Sequence, residues 1–269
     1  MKRLIYQVSV GQPSELYKWC IASTKKYCEK YDIDHIVQTE PILKIGPLNW
    51  EESNRSDNVK KFGYLPIYEK ENAFGYFDKY DQIAIVDSDI YIRPTAPNIF
   101  DDLKEDTDFG GVIEREMPLT QEYTQKIIHY SQAQYHNLET DHTPNQFGYE
   151  FYNMGLMVMN KSITKYINGD TPEQFIRRPE FKKFVDGIGY WKWSTDQTLL
   201  NYWVRKSGMK QQHLSWKWNA LFKGIRDDWL PKAQFIHFFL KDRLPNKGEN
   251  IELLERAMNN LPNDIGKRI

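Results

Sequence analysis

Residues Tyr80–Pro94 read YDQIAIVDSDIYIRP. Within them Ile83–Val86 is an unbroken apolar run rich in β-branched residues, the pattern of a strand buried on both faces at the centre of a parallel sheet. The run stops at Asp87-Ser88-Asp89. Two acids directly after a buried strand are costly unless a positive charge meets them. In extended chain, residues two apart point the same way, so Asp87 and Asp89 can converge on one cation. Oxygen ligands of this kind suit Mg²⁺ or Mn²⁺. The triplet by itself is a weak signal, because the chain holds three of the form Asp–any–Asp. Asp32/Asp34 and Asp106/Asp108 lie in polar surroundings and are expected to be solvated. Only Asp87/Asp89 lies just outside the carboxyl end of a strand, where an α/β sheet presents ligands. From the residues alone the pair reads equally as a metal site or as a structural acid pair.

At 269 residues the chain fits one large α/β domain, or a core with a small lobe. A net charge of −1 leaves no electrostatic footprint for nucleic acid or an anionic membrane. Cys20 and Cys28 fall eight residues apart in an expected helix, about 12 Å at the usual rise, too far for a disulfide. That usage fits a reducing compartment. Met1-Lys2-Arg3 resembles a signal n-region, but Leu4–Val10 is short and broken by Gln7 and Ser9, and reads better as a first strand. No apolar run approaches the length of a transmembrane helix. The expectation is a soluble, cytoplasmic protein. Aromatics make up 14% of residues, which fits either a bulky core or a cleft with aromatic platforms.

In chain order, strand one closes at Gly11-Gln12-Pro13, and Ser14 caps a helix running to about Lys30. His35–Gln38 reads as strand two, so the chain opens β-α-β with a parallel pair and a right-handed crossover. Thr39–Arg55 reads as an irregular loop and Val59–Phe77 as a helical segment. Phe109–Ile113 is a further strand. Glu116–Tyr149 is a polar insertion with one helical stretch near Tyr123–Gln134, a lid or a surface excursion. Phe151–Asn160 (FYNMGLMVMN) is a strongly apolar strand, with Ser162 as cap of a short helix after it. Thr171-Pro172 opens another helix, and Ser194 or Thr195 caps TDQTLLNYWVRK. Phe235–Phe239 is the last strand, and Asn250–Asn259 an amphipathic helix. The expected result is one α/β domain with a central mixed, mostly parallel sheet flanked by helices. Residues 1–100 form a nucleotide-binding half, 101–245 an acceptor and catalytic half, and 246–269 the C-terminal helix.

Four motifs stand in order: IVDSDIYI (Ile85–Ile92), FYNMGLMVMN (Phe151–Asn160), TDQTLLN (Thr195–Asn201) and AQFIHFFLKDR (Ala233–Arg243). The series resembles glycosyltransferases of the GT-A (Rossmann-like) fold, most closely the retaining glycogenin and bacterial lipopolysaccharide galactosyltransferase group (glycosyltransferase family 8). There the matching motifs read roughly LDxDxxV, FNAGxxxxN, xDQxxLN and HFxGxxKPW. The resemblance implies that Asp87 touches both metal and ribose, that Asp89 ligates the metal, and that His237 is the third ligand. A mixed nitrogen and oxygen set favours Mn²⁺ over Mg²⁺. Val8 at the end of strand one, Ser88 between the acids, and Lys61 (or Lys60) in VKKFGYLPI would lie against the nucleotide. Asn153 would contact the donor sugar or the reaction centre, and Gly155 would let backbone approach the ligand. Asp196 and Gln197 would act at the anomeric carbon.

The last motif departs most. Leu240 stands where the family has Gly, and Arg243 where it has Lys, followed by Leu244-Pro245 rather than Pro-Trp. Arg243 or Lys241 would neutralise the leaving diphosphate. Asn219 in WKWNALF resembles the Asn before the last strand in the glycogenin group. Trp191, Trp193, Trp216 and Trp218 read as sugar platforms or as core. The implied activity is metal-dependent transfer of a sugar from a UDP-sugar to a hydroxyl acceptor, with retention. The rivals are a nucleotidyltransferase or nucleotide-sugar hydrolase on a similar sheet, and a nucleotide-binding relative without turnover. A nucleotidyltransferase would carry a Gly-rich basic loop after strand one, whereas Gly11-Gln12-Pro13 offers one Gly and no cation before Lys18.

Overall fold

The computed structural model of the protein describes residues 1–193 and 195–259. Strand β1 (Arg3–Val8) leads into helix α1 (Glu15–Tyr31), whose first turn is capped by Ser14 accepting from the Tyr17 N–H. The helix ends at Asp32 in the left-handed region, and the chain returns as β2 (Asp34–Gln38), parallel to β1. Cys20 and Cys28 are free, buried thiols inside α1. The opening β-α-β unit is as the sequence predicts.

The expected single helical segment over 59–77 is two pieces. A short helix, α2 (Asp57–Phe62), stops at Gly63, which takes a φ of 81°. Pro66 then starts a run of 3₁₀ turns, Pro66–Asp78. Glycine and proline at that spacing end one helix and start another, because Gly63 supplies the left-handed cap and Pro66 lacks the N–H an interior position needs. The 39–55 loop is irregular, as expected, but one buried carboxylate organises it. Glu69 accepts from the backbone N–H groups of Ile42, Leu43 and Lys44 at 2.7–2.9 Å.

Strand β3 (Gln82–Val86) is buried along its whole length and continues past the two acids into β4 (Ile90–Ile92). Then come β5 (Phe109–Ile113), the insertion helix α3 (Gln121–Tyr135), β6 (Tyr152–Asn160), helix α4 (Asp196–Lys206), β7 (Gln211–His213), β8 (Ala220–Leu221), β9 (Phe235–His237) and helix α5 (Ile251–Met258). The main sheet has the order β2-β1-β3-β6-β5-β7. Both halves of the chain build it. It is mixed: β6 runs antiparallel to β3 and β5, while the other three pairings are parallel. Ile83–Val86 is therefore central, with a parallel neighbour on one side only. Burial on both faces produces an all-apolar strand whichever way its neighbours run, so the pattern could not distinguish them.

A second, small sheet has the order β8-β9-β4. Its register sets His237 opposite Ile90, directly after Asp89. The last strand is shorter than expected, stopping at His237 so that Phe239 and Leu240 bend over a cavity. Helix α5 ends at Met258, so of the predicted C-terminal helix 246–269 the part from 260 onward lies outside the described residues. Ser194 also lies outside them, and Thr195 makes the α4 cap, accepting from the Gln197 N–H.

Two local expectations fail together. Asp108 is not solvated; it is 1% exposed. Ser162, expected to cap a helix, donates instead to Asp108 at 2.6 Å. The Tyr166 hydroxyl and the Lys210 N–H complete the arrangement, and Lys165 pairs with it at 3.0 Å. The triplet looked polar in sequence, but the strand that follows Asp108 is a buried inner strand, paired with β6 and β7, and carries it inward.

Candidate active site

The carboxyl end of β3 delivers Asp87 and Asp89 to a cavity of about 400 Å³ between the main sheet, α3, the start of α4 and the loop after β9. The Asp87 N–H is held by the Gly155 carbonyl at 2.8 Å, and the Phe238 N–H donates to the Asp89 carbonyl at 2.9 Å, so both acids sit on fixed backbone. His237 Nε2 lies 3.2 Å from Asp89 Oδ1 and 3.8 Å from Asp87 Oδ2. One ligand atom from each of the three residues falls within 4.8 Å of the others. That spacing, with two carboxylates and one imidazole, could hold a divalent cation.

Hydrogen-bond polarity fixes which imidazole nitrogen faces the acids. The Gly155 N–H, which can only donate, meets Asn153 Oδ1 at 3.0 Å, so the Asn153 amide oxygen is on that side. Asn219 Nδ2 donates to that same oxygen at 2.9 Å and to the Asn153 carbonyl at 3.3 Å. Asn219 therefore turns its oxygen to His237 Nδ1, 3.0 Å away. An amide oxygen can only accept, so Nδ1 carries hydrogen and Nε2 is the nitrogen that faces the two acids. Burial lowers the His237 pKa, but Asp89 and then Asp87 outweigh it and the net direction is up. For Asp89, burial pushes upward, and His237 together with Lys241 brings it below the ordinary carboxylate value.

Gly155 has a role the sequence did not suggest. A Cβ there would lie 2.4 Å from His237 Cε1 and 2.7 Å from Nδ1. Its missing side chain makes room for the His237 ring.

Lys70 stands at the centre of the charge arrangement and was not anticipated. Its ammonium lies 2.8 Å from Asp87 Oδ1, 2.6 Å from Asp196 Oδ2 and 3.3 Å from the Met154 carbonyl. Burial lowers its pKa, but the two carboxylates more than reverse that, so the ammonium is held charged. Asp196 is 2% exposed at the first turn of α4. Burial pushes it up, Lys70 pulls it down, Asp87 pushes again, and the net direction is up. Behind them Glu71 is fully buried, and neither carboxylate oxygen has a hydrogen-bond partner among the described residues. Burial and then Asp196 push its pKa well above the ordinary carboxylate value. Lys70 sits in YEKEN, a charged run that ordinarily reads as a solvated face, and no spacing in it marked the residue.

Gln197 is pinned. Its amide oxygen accepts from the Met154 N–H at 3.1 Å and its nitrogen donates to the Tyr130 hydroxyl at 3.3 Å. Ser88 spends its hydroxyl on the Val8 carbonyl at 2.6 Å, tying β1 to the acid pair, and neither residue lines the cavity. Glu114, buried on the cavity wall, was also missed. It accepts from Tyr123 at 2.6 Å and from Asn153 Nδ2 at 2.8 Å.

Three predicted residues lie apart from this cluster. Lys60 and Lys61 are exposed on α2 and do not line the cavity, because the glycine stop at 63 separates α2 from the turns carrying Lys70. Arg243 is drawn to Glu122 on α3 by an ion pair. Lys241 is instead the cation beside the acids: its ammonium sits 3.7 Å from the Tyr17 ring centroid and acts on Asp89. Trp218 is core, packed on Phe235, and neither Trp191 nor Trp216 lines the cavity; the Trp193 side chain lies outside the described residues.

No family model matches the sequence, and no curated protein does. Solved structures do match. A glycosyltransferase involved in glycosylation of the major capsid of PBCV-1 superposes with a TM-score of 0.53 at 10% identity, over 94% of this chain and 100% of that one. The bifunctional glycosyltransferase WbbM gives 0.52 at 14% identity, over 97% of this chain and 51% of that one. At these identities the likeness is one of fold: a mixed α/β domain of the GT-A type.

Proposed function

We propose that the chain is a metal-dependent glycosyltransferase of the glycogenin and lipopolysaccharide galactosyltransferase kind. In this reading it moves a sugar, with retention, from a UDP-sugar to a hydroxyl of a carbohydrate or other acceptor. One observation carries it: Asp87, Asp89 and the available Nε2 of His237 share a single cavity with Lys70, Asp196, Gln197 and Asn153. Mn²⁺ held by Asp87, Asp89 and His237 would supply Lewis-acid stabilisation of the departing diphosphate.

The chain's own residues do the rest. Val8 and Ser88 form the nucleotide edge in residues 1–100, and residues 101–245 supply the sugar-facing wall. Lys241 is the cation placed for the diphosphate; Arg243, engaged on α3, takes that role only if its ion pair opens. Asp196 faces the cavity with Lys70 against it, a buried carboxylate positioned to stabilise oxocarbenium character at the anomeric carbon. Both ends of the Gln197 amide are already bonded, so its part is orientation. Asn153, its amide engaged by Gly155, Asn219 and Glu114, lines the sugar-facing wall. The free thiols of α1 fit the cytoplasmic location expected, and among the described residues no helix is long and apolar enough to cross a membrane.

The test is thermal stability against nucleotides and nucleotide sugars, with and without Mn²⁺, followed by release of UDP with candidate acceptors. At a ligand concentration of 100 Kd the native state gains about 2.7 kcal/mol, a rise of about 5–10 °C in Tm for a chain of this size. A metal-dependent shift with UDP-sugars and turnover with an acceptor supports the reading. A shift without turnover favours the nucleotide-binding relative, the alternative that the engaged Arg243 argues for. No shift with any nucleotide sinks both.

A further inference from the structure

The insertion helix α3 is joined to the metal cluster by an unbroken line of buried hydrogen bonds. The Tyr123 hydroxyl donates to Glu114 Oε1 at 2.6 Å, and Asn153 Nδ2 donates to Glu114 Oε2 at 2.8 Å. Asn153 Oδ1 accepts from Asn219 at 2.9 Å, and Asn219 Oδ1 accepts from His237 at 3.0 Å. Every residue in the line is buried, with exposures from 0% at Asn219 to 6% at Asn153 and Tyr123. No link depends on an ambiguous amide, because the Gly155 N–H and the Asn153 carbonyl fix both flips. The bonds all donate toward Glu114, so its carboxylate is the end point on which the line is polarised.

We propose that Glu114, held by Tyr123 of α3, is a positioning residue for the metal site: it anchors the Asn153–Asn219 amide pair that orients His237. The proposal rests on the metal-site reading above and deepens it, giving the insertion a direct hand in metal affinity. Partners beyond the ligands themselves commonly change affinity by about 10- to 100-fold when removed. Glu114 touches neither His237 nor the acids, so its effect must travel through the two amides. In a buried, low-dielectric setting a partly broken amide line leaves its members unpaired, and their rearrangement costs the ring its fixed direction.

The experiment is Mn²⁺ affinity of the full chain, measured by the loss of free-ion EPR signal, with no substrate present. Glu114→Leu should weaken Mn²⁺ binding about tenfold or more. Glu114→Gln can turn its amide oxygen to Asn153 and its nitrogen to the Tyr123 oxygen, and should bind within about threefold of the parent. Tyr123→Phe, which removes one donor and little volume, should weaken binding about three- to fivefold and keeps the test open if the leucine variant does not fold. Parent-like affinity in Glu114→Leu and Tyr123→Phe overturns the proposal. Equal losses in the leucine and glutamine variants also overturn it, since charge acting through space would then explain both. A parent chain that binds no Mn²⁺ removes the metal-site reading itself, a result distinct from either.

Discussion

Gly155→Ala adds one methyl group, and the structure says where it goes. The glycine lies in the interior of β6 and is not among the glycines with positive φ, so alanine fits its backbone and the consequence is steric alone. The new Cβ would sit 2.4 Å from His237 Cε1, where ordinary contact begins at 3.4 Å, so the ring must retreat by about 1 Å. Asn153 Oδ1 blocks another direction at 3.0 Å. Metal–ligand distances tolerate about 0.2 Å, so a shift of that size removes His237 as a ligand. We expect Mn²⁺ affinity to fall by two orders of magnitude or more, with overpacking costing about 1–3 kcal/mol of stability. EPR titration and a melting curve on the same sample measure the two effects. Affinity within threefold of the parent in a folded Gly155→Ala chain would refute the packing argument, and with it the assignment of His237 as a ligand.

Other changes follow from the same geometry. Lys70→Met leaves Asp87 and Asp196 facing each other with no buried cation and should lower stability by about 3–5 kcal/mol, read by denaturant unfolding; adding Asp196→Asn should restore part of the loss. Glu71 is buried with no hydrogen-bond partner among the described residues for either carboxylate oxygen. Its folded pKa is raised, so stability is full below the ordinary carboxylate value and declines as pH climbs from there toward the raised value. Glu71→Gln should flatten that decline in a Tm-against-pH series, and an unchanged slope would count against it. Lys241→Ala should weaken UDP binding at least tenfold while Arg243→Ala changes it less than twofold, and the reverse order in calorimetry would return the diphosphate role to Arg243. Asp108→Asn should destabilise the chain but leave donor affinity per folded molecule unchanged, which distinguishes this buried triplet acid from Asp87.

Much of the architecture was legible because strong signals were local. Ile83–Val86 announced a buried strand, Ser14 a helix cap, and the Asp87/Asp89 spacing a pair of convergent acids. What stayed hidden is what burial alone decides. Lys70 and Glu71 look like surface charge until the 3₁₀ turns roll them under the sheet edge. Asp108 looked solvated for the same reason. Glu114 and Tyr123 belong to no motif; only the fold brings a residue after β5 against Asn153. Asn219 was singled out by resemblance to the glycogenin group, yet its task of turning the His237 ring depends on two backbone contacts that no sequence pattern encodes. Lys61 (or Lys60) reads as the nucleotide lysine only while position along the chain stands in for position in space; both are exposed on α2, away from the cavity.

The pairing of β9 with β4 bears on how the protein comes to acquire its site. Asp89 and His237 are brought together by register: His237 lies opposite Ile90, and the Phe238 N–H reaches back to the Asp89 carbonyl. A slip of one residue would turn the imidazole to the other face and offer a phenylalanine or an isoleucine in its place. That contact spans more than half the chain, so it belongs to the slow, non-local part of folding. On the proposed reading, a chain lacking β9 would lack His237 and with it one of the three candidate ligands, so metal binding would report completed topology.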